Sequence, residues 1–560
     1  MPWWLLGISM VATTFSADTP NLVTGMVRED GVAKNWAWWA FLITGMVTVF
    51  IYAKLWRRSK VITDLEFYEK RYSGKAASFL RGFRSVYLGI FFNSLIMGSV
   101  TLAAIKIGNV MLGLEPWAVV VGASLIAVVY TALGGIKGVV WADFFQYSIA
   151  MFGAVYAAVV ALDHPDVGGM RALLQHPNVA GKLSFLPDFS DPSAYVPLLI
   201  IPIAVQWWAV WYPGAEPGGG GYIAQRMLSA KNEKNAIGAT LLFNFAHYAL
   251  RPWPWIIVAL ASLVIYPDLP SIKAEFPLIS DTYLKDDIAY PVMLSKLEPG
   301  WMGLVVASLI AAYMSTIGSH LNWGSSYVVN DFYRRFVNKD ASERQMVTVG
   351  RIATVLLMVL AGFFSLTFLD NATQAFNILL LSGAGSGSIY LLRWFWWRIN
   401  AWSEISAMIV ATLVGSVLAL GVSDEAVATG VLDGFTVKLL INVGLTTVAW
   451  LAVTFMTEPV DKQTLRKFFR LTLPGGPGWK KVVAEARAEG DMIDKELEGK
   501  PWEMPAQILM VFIGCAVIYA SLFSIGSFVY GNAVVGAILT AIAIGGGYLL
   551  LRLSGKLRAN

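Results

Sequence analysis

Long apolar segments recur along the chain and are separated by shorter polar stretches. About 20 predominantly apolar residues are enough for a helix to cross the roughly 30 Å hydrocarbon core of a bilayer. The pattern therefore predicts an all-α polytopic membrane protein with about fourteen transmembrane helices, at residues 2–26, 35–56, 80–106, 116–133, 138–162, 194–213, 236–266, 300–329, 347–368, 373–394, 403–421, 435–456, 506–527 and 532–553.

Composition agrees with the hydropathy pattern and excludes several classes of protein. Hydrophobic residues make up 56% of the 560 residues and charged residues only 14%, whereas a soluble domain carries about 25% charge. Basic residues lie in short loops, so nucleic acid is not an expected partner. The single cysteine, Cys515, rules out an intramolecular disulfide. The four His form no metal-ligand or nucleophile–base pattern, so an enzyme is not expected.

The distribution of Lys and Arg predicts the orientation in the membrane. Loops after every second predicted helix are basic, as in residues 57–84, 334–344 and 462–481, whereas the opposite loops are mixed or acidic. This alternation places both termini in the cytoplasm of a protein of the inner (plasma) membrane. Residues 163–193 and 267–299 become extracellular loops, and residues 457–505 become a cytoplasmic loop.

Three predicted helices contain residues that interrupt a helix. The first breaks at residues 13–20, the sixth at residues 212–222 and the tenth at residues 382–388. Unpaired backbone survives inside a membrane only where it lines a cavity. Helices one and six are five helices apart, which is typical of the inverted repeats of secondary transporters. The alternative is that Gly and Pro are simply common in membrane helices.

This repeat predicts the organisation of the whole chain. The predicted divisions are residues 1–162 as a first five-helix repeat, 163–193 as a loop, 194–394 as a second five-helix repeat containing loop 267–299, 395–456 as helices eleven and twelve, 457–505 as a loop, and 506–560 as the last two helices.

Three motifs carry a resemblance to a known family. They are GGIKGVVWADFFQ at residues 134–146, QRMLSAKN at 225–232, and AAYMSTIGSHLN at 311–322 followed by NDFY at 330–333. In this order they resemble the sodium:solute symporter family, also called solute carrier 5. The resemblance implies a LeuT-like 5+5 inverted-repeat core coupled to Na⁺. Family members begin with an additional helix, so a start at Met1-Pro2-Trp3-Trp4 leads us to expect that a leading helix is missing.

The resemblance also implies a principal sodium site. Its ligands would be backbone oxygens of Ala12 and Phe15 in the first-helix break, the carbonyl of Ala312, and the hydroxyls of Ser315 and Thr316. Carbonyl and hydroxyl oxygens suit a hard cation and add no full charge. The alternative is that these hydroxyls bond back to carbonyls of their own helix.

Some family members hold a second sodium ion. The resemblance implies that Asp143 and Ser319 would contribute to that site here. Gly318 has no hydroxyl at a position where those members have one, which weakens the expectation. Asp143 then remains as an ion-exit residue or as an acid bonded to a neighbouring helix.

Ionisable residues inside membrane helices are costly and mark candidate solute contacts. Asp18 lies in the first-helix break, where it either meets solute hydroxyls or an amine, or caps the following half-helix. His247 and Arg251 share one face of the seventh helix. Arg251 either binds an anionic group or pairs with carbonyls freed by the Pro252 kink.

Aromatic and amide residues complete the candidate solute set. Trp207 and Trp208 precede the sixth-helix break and Asn93 lies in the third helix. Trp36, Trp38 and Trp39 are instead assigned to an interfacial belt.

These observations predict sodium-coupled import of a small polar organic solute, a sugar, sugar acid or carboxylate, by alternating access. The expected partners are that solute, Na⁺ as the coupling ion and the lipid bilayer, and an oligomer is not required. Proton coupling through Asp18 or Asp143, and a transporter-like membrane sensor, remain as alternatives.

Overall fold

The computed structural model describes residues 1–61, 63–210 and 216–559, and the side chains of 130, 132–137, 139 and 555–559 are left aside. The regular structure of these residues is helical. The principal helices are α1 Trp3–Thr14, α2 Asp18–Asp30, α3 Val32–Ser59, α4 Gly74–Leu112, α5 Pro116–Asp163, α6 Pro192–Ala204, α7 Gly221–Leu228, α8 Glu233–Ile265, α9 Pro299–Val337, α10 Glu343–Thr367, α11 Ala372–Gly383, α12 Gly387–Leu392, α13 Ala401–Gly421, α14 Gly434–Met456, α15 Lys462–Thr472, α16 Lys480–Ala488, α17 Met504–Val529 and α18 Ala533–Ala559.

Among the described residues, ten helical segments are long and apolar enough to cross a membrane. They lie in α3, α4, the second half of α5, α8, α9, α10, α13, α14, α17 and α18. The prediction of a multi-pass membrane protein is therefore confirmed. The count of fourteen stays a prediction, because the broken helices are divided into pieces too short to qualify alone.

The first-helix break is narrower than its prediction of residues 13–20. Helix α1 ends at Thr14 and α2 begins at Asp18, so only residues 15–17 are non-helical. Pro20 falls in the first turn of α2, where a missing N–H is harmless because the first N–H groups of a helix have no internal acceptor. The chain can therefore restart a helix at once.

Helix α5 covers both of the predicted helices 116–133 and 138–162. The residues between them, predicted to be non-helical, are helical in the structure. A straight helix of 48 residues would be about 72 Å long, far more than a membrane needs. Going along α5, the residue numbers of its neighbours on α9 nevertheless first increase and then decrease. Ile126 and Leu309 line one cavity, Thr131 and Asn322 line another, Ser315 donates to Asp143, and Tyr156 stacks on Trp301. This order is the one that two antiparallel spans give.

The Gly-rich break between α11 and α12 packs against the chain that follows α6. A Cβ on Gly387 would overlap the carbonyl of Trp208, and one on Gly383 would overlap that of Val210. Helix α6 ends at Ala204, earlier than the predicted residue 213, and residues 211–215 of the predicted sixth-helix break lie outside the described residues. The glycines of the tenth predicted helix therefore allow two irregular segments to touch.

The three tryptophans that we assigned to an interfacial belt are buried instead. Trp36, Trp38 and Trp39 are at most 4% exposed. The first and third pack against Tyr519 and Phe523 of α17. The assignment is wrong because α17 covers this face of α3, a contact between residues almost 500 positions apart.

Candidate functional site

Asp143 is the centre of a buried polar cluster beside the first-helix break. Its carboxylate accepts hydrogen bonds from Ser9 Oγ of α1 at 2.6 Å and from Ser315 Oγ of α9 at 2.7 Å. A guanidinium nitrogen of Arg226 in α7 lies 3.7 Å from the same carboxylate. Because the side chain is 0% exposed, these partners supply the compensation that a buried anion needs.

Thr316, the residue after Ser315, bonds to a different element. Its Oγ1 donates to the backbone oxygen of Thr13 in α1 at 2.9 Å. The hydroxyl of Thr13 lies 3.1 Å from Ser319 Oγ, which accepts from Arg226 at 3.0 Å. Within the described residues, the hydroxyls of Ser315 and Thr316 bond to other helices and not to carbonyls of their own, so the geometry favours a role between helices over the alternative weighed from the sequence.

The predicted backbone ligands lie in the same region. Ala12, Phe15 and Ala312 are at most 2% exposed, and α1 packs directly against α9. The oxygen of Ala12 accepts from the N–H of Phe15 at 3.1 Å. A carbonyl has two lone pairs, so this turn still leaves acceptor capacity where α1 ends.

A cavity of about 60 Å³ lies next to this cluster. Its wall contains Asp18, His247 and Arg251 from the predicted solute set, together with Trp38 and Ser99. The side chains come from α2, α3, α4 and α8, and the remaining wall is contributed by α1 and α11. The structure thus brings together three of the six predicted solute residues.

Arg251 and His247 both reach Thr14, the last residue of α1. Arg251 donates to the backbone oxygen of Thr14 at 2.6 Å, and His247 Nδ1 lies 3.0 Å from its hydroxyl. The guanidinium also lies 3.2 Å from His247 Nε2. Arg251 therefore meets the carbonyl end of α1 rather than carbonyls freed by the proline kink of its own helix.

Asp18 does not act as the cap of α2. The residue preceding that helix is Ala17, and no side chain caps it. The Asp18 carboxylate instead accepts from the Ser16 hydroxyl and, at 3.0 Å, from Ser99 Oγ of α4. It stays in the cavity wall as a carboxyl group held by two hydroxyls.

The other three predicted solute residues lie elsewhere. Asn93 bonds to His320 of α9, with its Nδ2 2.8 Å from the His320 backbone oxygen and its Oδ1 2.5 Å from Nδ1. Trp207 and Trp208 pack edge to face, and the Trp207 carbonyl accepts from the Thr44 hydroxyl. None of the three is in the cavity wall described above. Contact of these residues with the solute therefore stays a prediction, and would require another conformation of the protein.

The predicted extracellular loop 267–299 bonds to α4 and to the cavity wall through Asp287. Lys106 Nζ of α4 lies 2.7 Å from both carboxylate oxygens of Asp287, and both side chains are almost fully buried. Asp287 also accepts from the N–H of Ala372, at 3.2 Å, and Ala372 belongs to the cavity wall. We call Lys106, Asp287 and Ala372 the outer latch.

A second buried cluster lies toward the predicted cytoplasmic side. Arg84 of α4 pairs with Glu216 at 2.7 Å, and both are at most 1% exposed. Arg393 pairs with Glu404 at 3.4 Å, and the same carboxylate accepts from the hydroxyl of Tyr72. We call these five residues the inner network, since they join α4, α13 and the residue after α12 to the sixth-helix break.

Comparison with known proteins decides what this arrangement belongs to. The model of the sodium:solute symporter family matches residues 1–411. The chain belongs to the sodium:solute symporter family. It is 27% identical over 427 residues to a sodium/glucose cotransporter of Vibrio parahaemolyticus, covering 73% of this chain and 76% of that protein. It is 25% identical over 434 residues to the sodium/sialic acid symporter SiaT of Proteus mirabilis, covering 74% and 81%.

A solved structure shows the same fold. A sodium-coupled sialic acid symporter in a substrate-bound outward-open state aligns with a TM-score of 0.63 and 21% identity, over 82% of this chain and 91% of that chain. The family and its relatives are transporters, so this chain is a membrane transporter and not an enzyme. Membership of this symporter family supports Na⁺ as the coupling ion.

Several functional side chains were not singled out from the sequence. Ser9, Thr14 and Ser99 are ordinary hydroxyl residues of apolar helices, and Trp38 was assigned to a belt. Arg226 was noticed only as part of the second motif and as a loop charge. Its position after a break, in a span otherwise free of charge, was the one available signal for a buried partner.

Proposed function

We propose that this family member is a secondary active symporter that imports a small polar organic solute with Na⁺ by alternating access. The single observation that carries the proposal is the convergence of α1, α5 and α9 at the first-helix break, through Thr316 to Thr13 and Ser315 to Asp143. We further propose that residues 1–162 and 194–394 form the two repeats, with both termini in the cytoplasm.

The proposed sodium site uses Ala12, Phe15, Ala312, Ser315 and Thr316. Both hydroxyls donate their protons to neighbouring acceptors, which leaves their lone pairs free for a cation. The site thus offers oxygens without a directly coordinating carboxylate. The negative charge of Asp143 lies one hydrogen bond away and favours cation entry.

We propose only one such ion for the cycle. The region of Asp143 and Ser319, where a second ion would be held, already contains the guanidinium of Arg226, at 3.7 Å and 3.0 Å respectively. A fixed cation there repels a mobile one. Asp143 is then proposed as a residue on the exit path of the first ion.

The solute site is proposed to be the cavity lined by Asp18, His247 and Arg251. Arg251 presents a permanent positive charge to the cavity, which favours a solute with a carboxylate, such as a sugar acid or another organic acid, over a neutral sugar. The relatives named above for glucose and for sialic acid cover both possibilities.

Sodium binding can be tested without knowing the solute. The purified protein in detergent is melted in NaCl and in KCl at equal ionic strength, and we expect a higher Tm in NaCl because a ligand that binds only the folded state stabilises it. Ser315→Ala and Thr316→Val should remove the difference between the two salts.

Ser308→Ala is the matched control, because Ser308 is also a buried serine of α9 but donates to the Val305 carbonyl of its own helix. It should keep the sodium-dependent rise in Tm. Equal melting of the unmodified protein in both salts, together with uptake driven by a pH gradient alone in proteoliposomes, would overturn sodium coupling in favour of protons.

A further inference from the structure

The solute cavity is lined by two groups of opposite charge that do not pair with each other. Asp18 and Arg251 both belong to its wall. Among the described residues, Asp18 and Arg251 do not form an ion pair with each other within 4 Å. Each charge is held by other groups, so both can face a solute.

Arg251 is anchored at the carbonyl end of α1. It donates to the Thr14 backbone oxygen and lies beside His247. A cation is favourable at the C-terminal end of a helix, where the carbonyl ends of the peptide dipoles are exposed. Within the described part of the chain, its Nε is buried and has no hydrogen-bond partner.

Asp18 occupies the complementary position, in the first turn of α2. An anion is favourable at the N-terminal end of a helix, and the hydroxyls of Ser16 and Ser99 orient the carboxylate. A carboxylate has about four lone-pair sites, so these two bonds leave room for a further donor. The break between α1 and α2 therefore separates the guanidinium of Arg251 from the carboxyl group of Asp18.

The rest of the wall offers mainly hydrocarbon. Leu22, Val23, Ile96, Phe376 and Leu379 line it, and no Asn or Gln occurs among the lining residues. A sugar has hydroxyls around its ring, and each one buried without a partner costs binding. A solute with a compact apolar body and charges confined to one end fits this surface better.

We propose that the solute is a small zwitterion, with a cationic amine placed at Asp18, a carboxylate at Arg251 and an apolar body against the hydrocarbon part of the wall. This inference rests on the proposed symport. A zwitterion has no net charge, so it enters a wall that already contains one charge of each sign without leaving either unpaired. A solute with the carboxylate alone satisfies Arg251 and leaves Asp18 unmatched.

The test is a sodium-dependent thermal-shift panel on the full-length protein. The panel contains the twenty protein amino acids and glycine betaine, with glucose, myo-inositol, pyruvate and N-acetylneuraminate as competitors of other classes. The amino acid that gives the largest shift is then compared with its deaminated acid and its carboxamide. We expect both analogues to bind at least about tenfold more weakly, since a hydrogen bond to a charged group is lost in each.

Two variants assign the contacts. Asp18→Asn should abolish the preference for the amino acid over its deaminated acid, and Arg251→Gln should abolish the preference over its carboxamide. A merely structural role would weaken all three compounds equally in both variants. That result overturns the proposal. So does a panel in which no zwitterion shifts the Tm, or in which a sugar or a simple acid shifts it most.

The outcomes also separate this inference from the symport beneath it. The rise in Tm from NaCl alone reports the sodium site and requires no solute. If that rise is present and the zwitterions fail, the solute class is wrong and the sodium site stands. If the rise is absent as well, the proposed function fails too.

Discussion

Replacing Lys106 by Met should open the cavity lined by Asp18, His247 and Arg251 on the side of Ala372, where loop 267–299 contacts its wall. The methionine keeps most of the length and apolar volume of the lysine stem but removes the ammonium group. Among the described residues, Asp287 then keeps the N–H of Ala372 as its donor, in a position where its side chain is only 3% exposed. The buried carboxylate gains most by moving out to water, and the loop moves with it.

The magnitude follows from the burial of both partners. Removing one member of a buried ion pair costs about 3–5 kcal/mol, because the other charge is left uncompensated. If the protein relieves that cost by opening the loop, the equilibrium between the closed and open states shifts by that free energy. Since about 1.4 kcal/mol is a factor of ten, even the lower value corresponds to about a hundredfold.

The assay measures access to the cavity by thiol labelling. Cys515→Ser removes the single cysteine of the chain, and Ile96→Cys places one in the cavity wall. A membrane-impermeant methanethiosulfonate reagent should label Ile96→Cys at least about tenfold faster when Lys106→Met is present. Leu278→Cys, at a residue 89% exposed in the same loop, should label at the same rate with or without it.

A companion variant separates opening from unfolding. Lys106→Met combined with Asp287→Asn removes both charges, so the stranded anion is gone and slow labelling should return. The single variant must also elute as a monodisperse species and keep its sodium-dependent Tm. If it does and its labelling rate equals that of the parent, the outer latch does not hold the cavity closed and the reasoning is refuted.

Two further predictions concern folding. Arg84→Met should lower stability by about 3–5 kcal/mol, seen as a lower Tm, because Glu216 is buried and loses its 2.7 Å partner. The double variant Arg84→Met/Glu216→Gln should recover much of the loss. An equal loss in both variants would contradict a charge effect. Gly387→Ala should cost at least about 1–3 kcal/mol, since its Cβ would overlap the Trp208 carbonyl, whereas Gly444→Ala, with open space around it, should leave the Tm nearly unchanged; similar melting of the two variants would show that the close approach is not required.

Much of the fold follows from local pattern. The positions of the long apolar helices could be predicted within several residues, because crossing a bilayer demands a run of apolar residues and little else. The break at residues 15–17 was visible in the polar and proline residues around it. Helix α5 was harder, since Gly134-Gly135 reads as a turn while the backbone keeps helical geometry there.

Site residues could be predicted only where polar or charged side chains stand close together within one apolar segment of the sequence. Adjacent hydroxyls at Ser315 and Thr316 stand out in an apolar helix, and so do His247 and Arg251. The partners do not, because Ser9 and Asp143 are 134 positions apart and neither implies the other. Trp38 was misassigned for the same reason. Tryptophan occurs both at interfaces and in cores, and only its neighbours Tyr248 and His247 show which applies.

Ser315 and Thr316 are consecutive in the chain, yet one holds Asp143 of α5 and the other holds the end of α1. No rotation of α9 about its own axis can improve one bond without straining the other. The two hydroxyls therefore fix the positions of α1, α5 and α9 relative to one another. A cation seated between them would be lost as soon as any of the three slides. If Na⁺ occupies the proposed site, its release would therefore accompany separation of the helices.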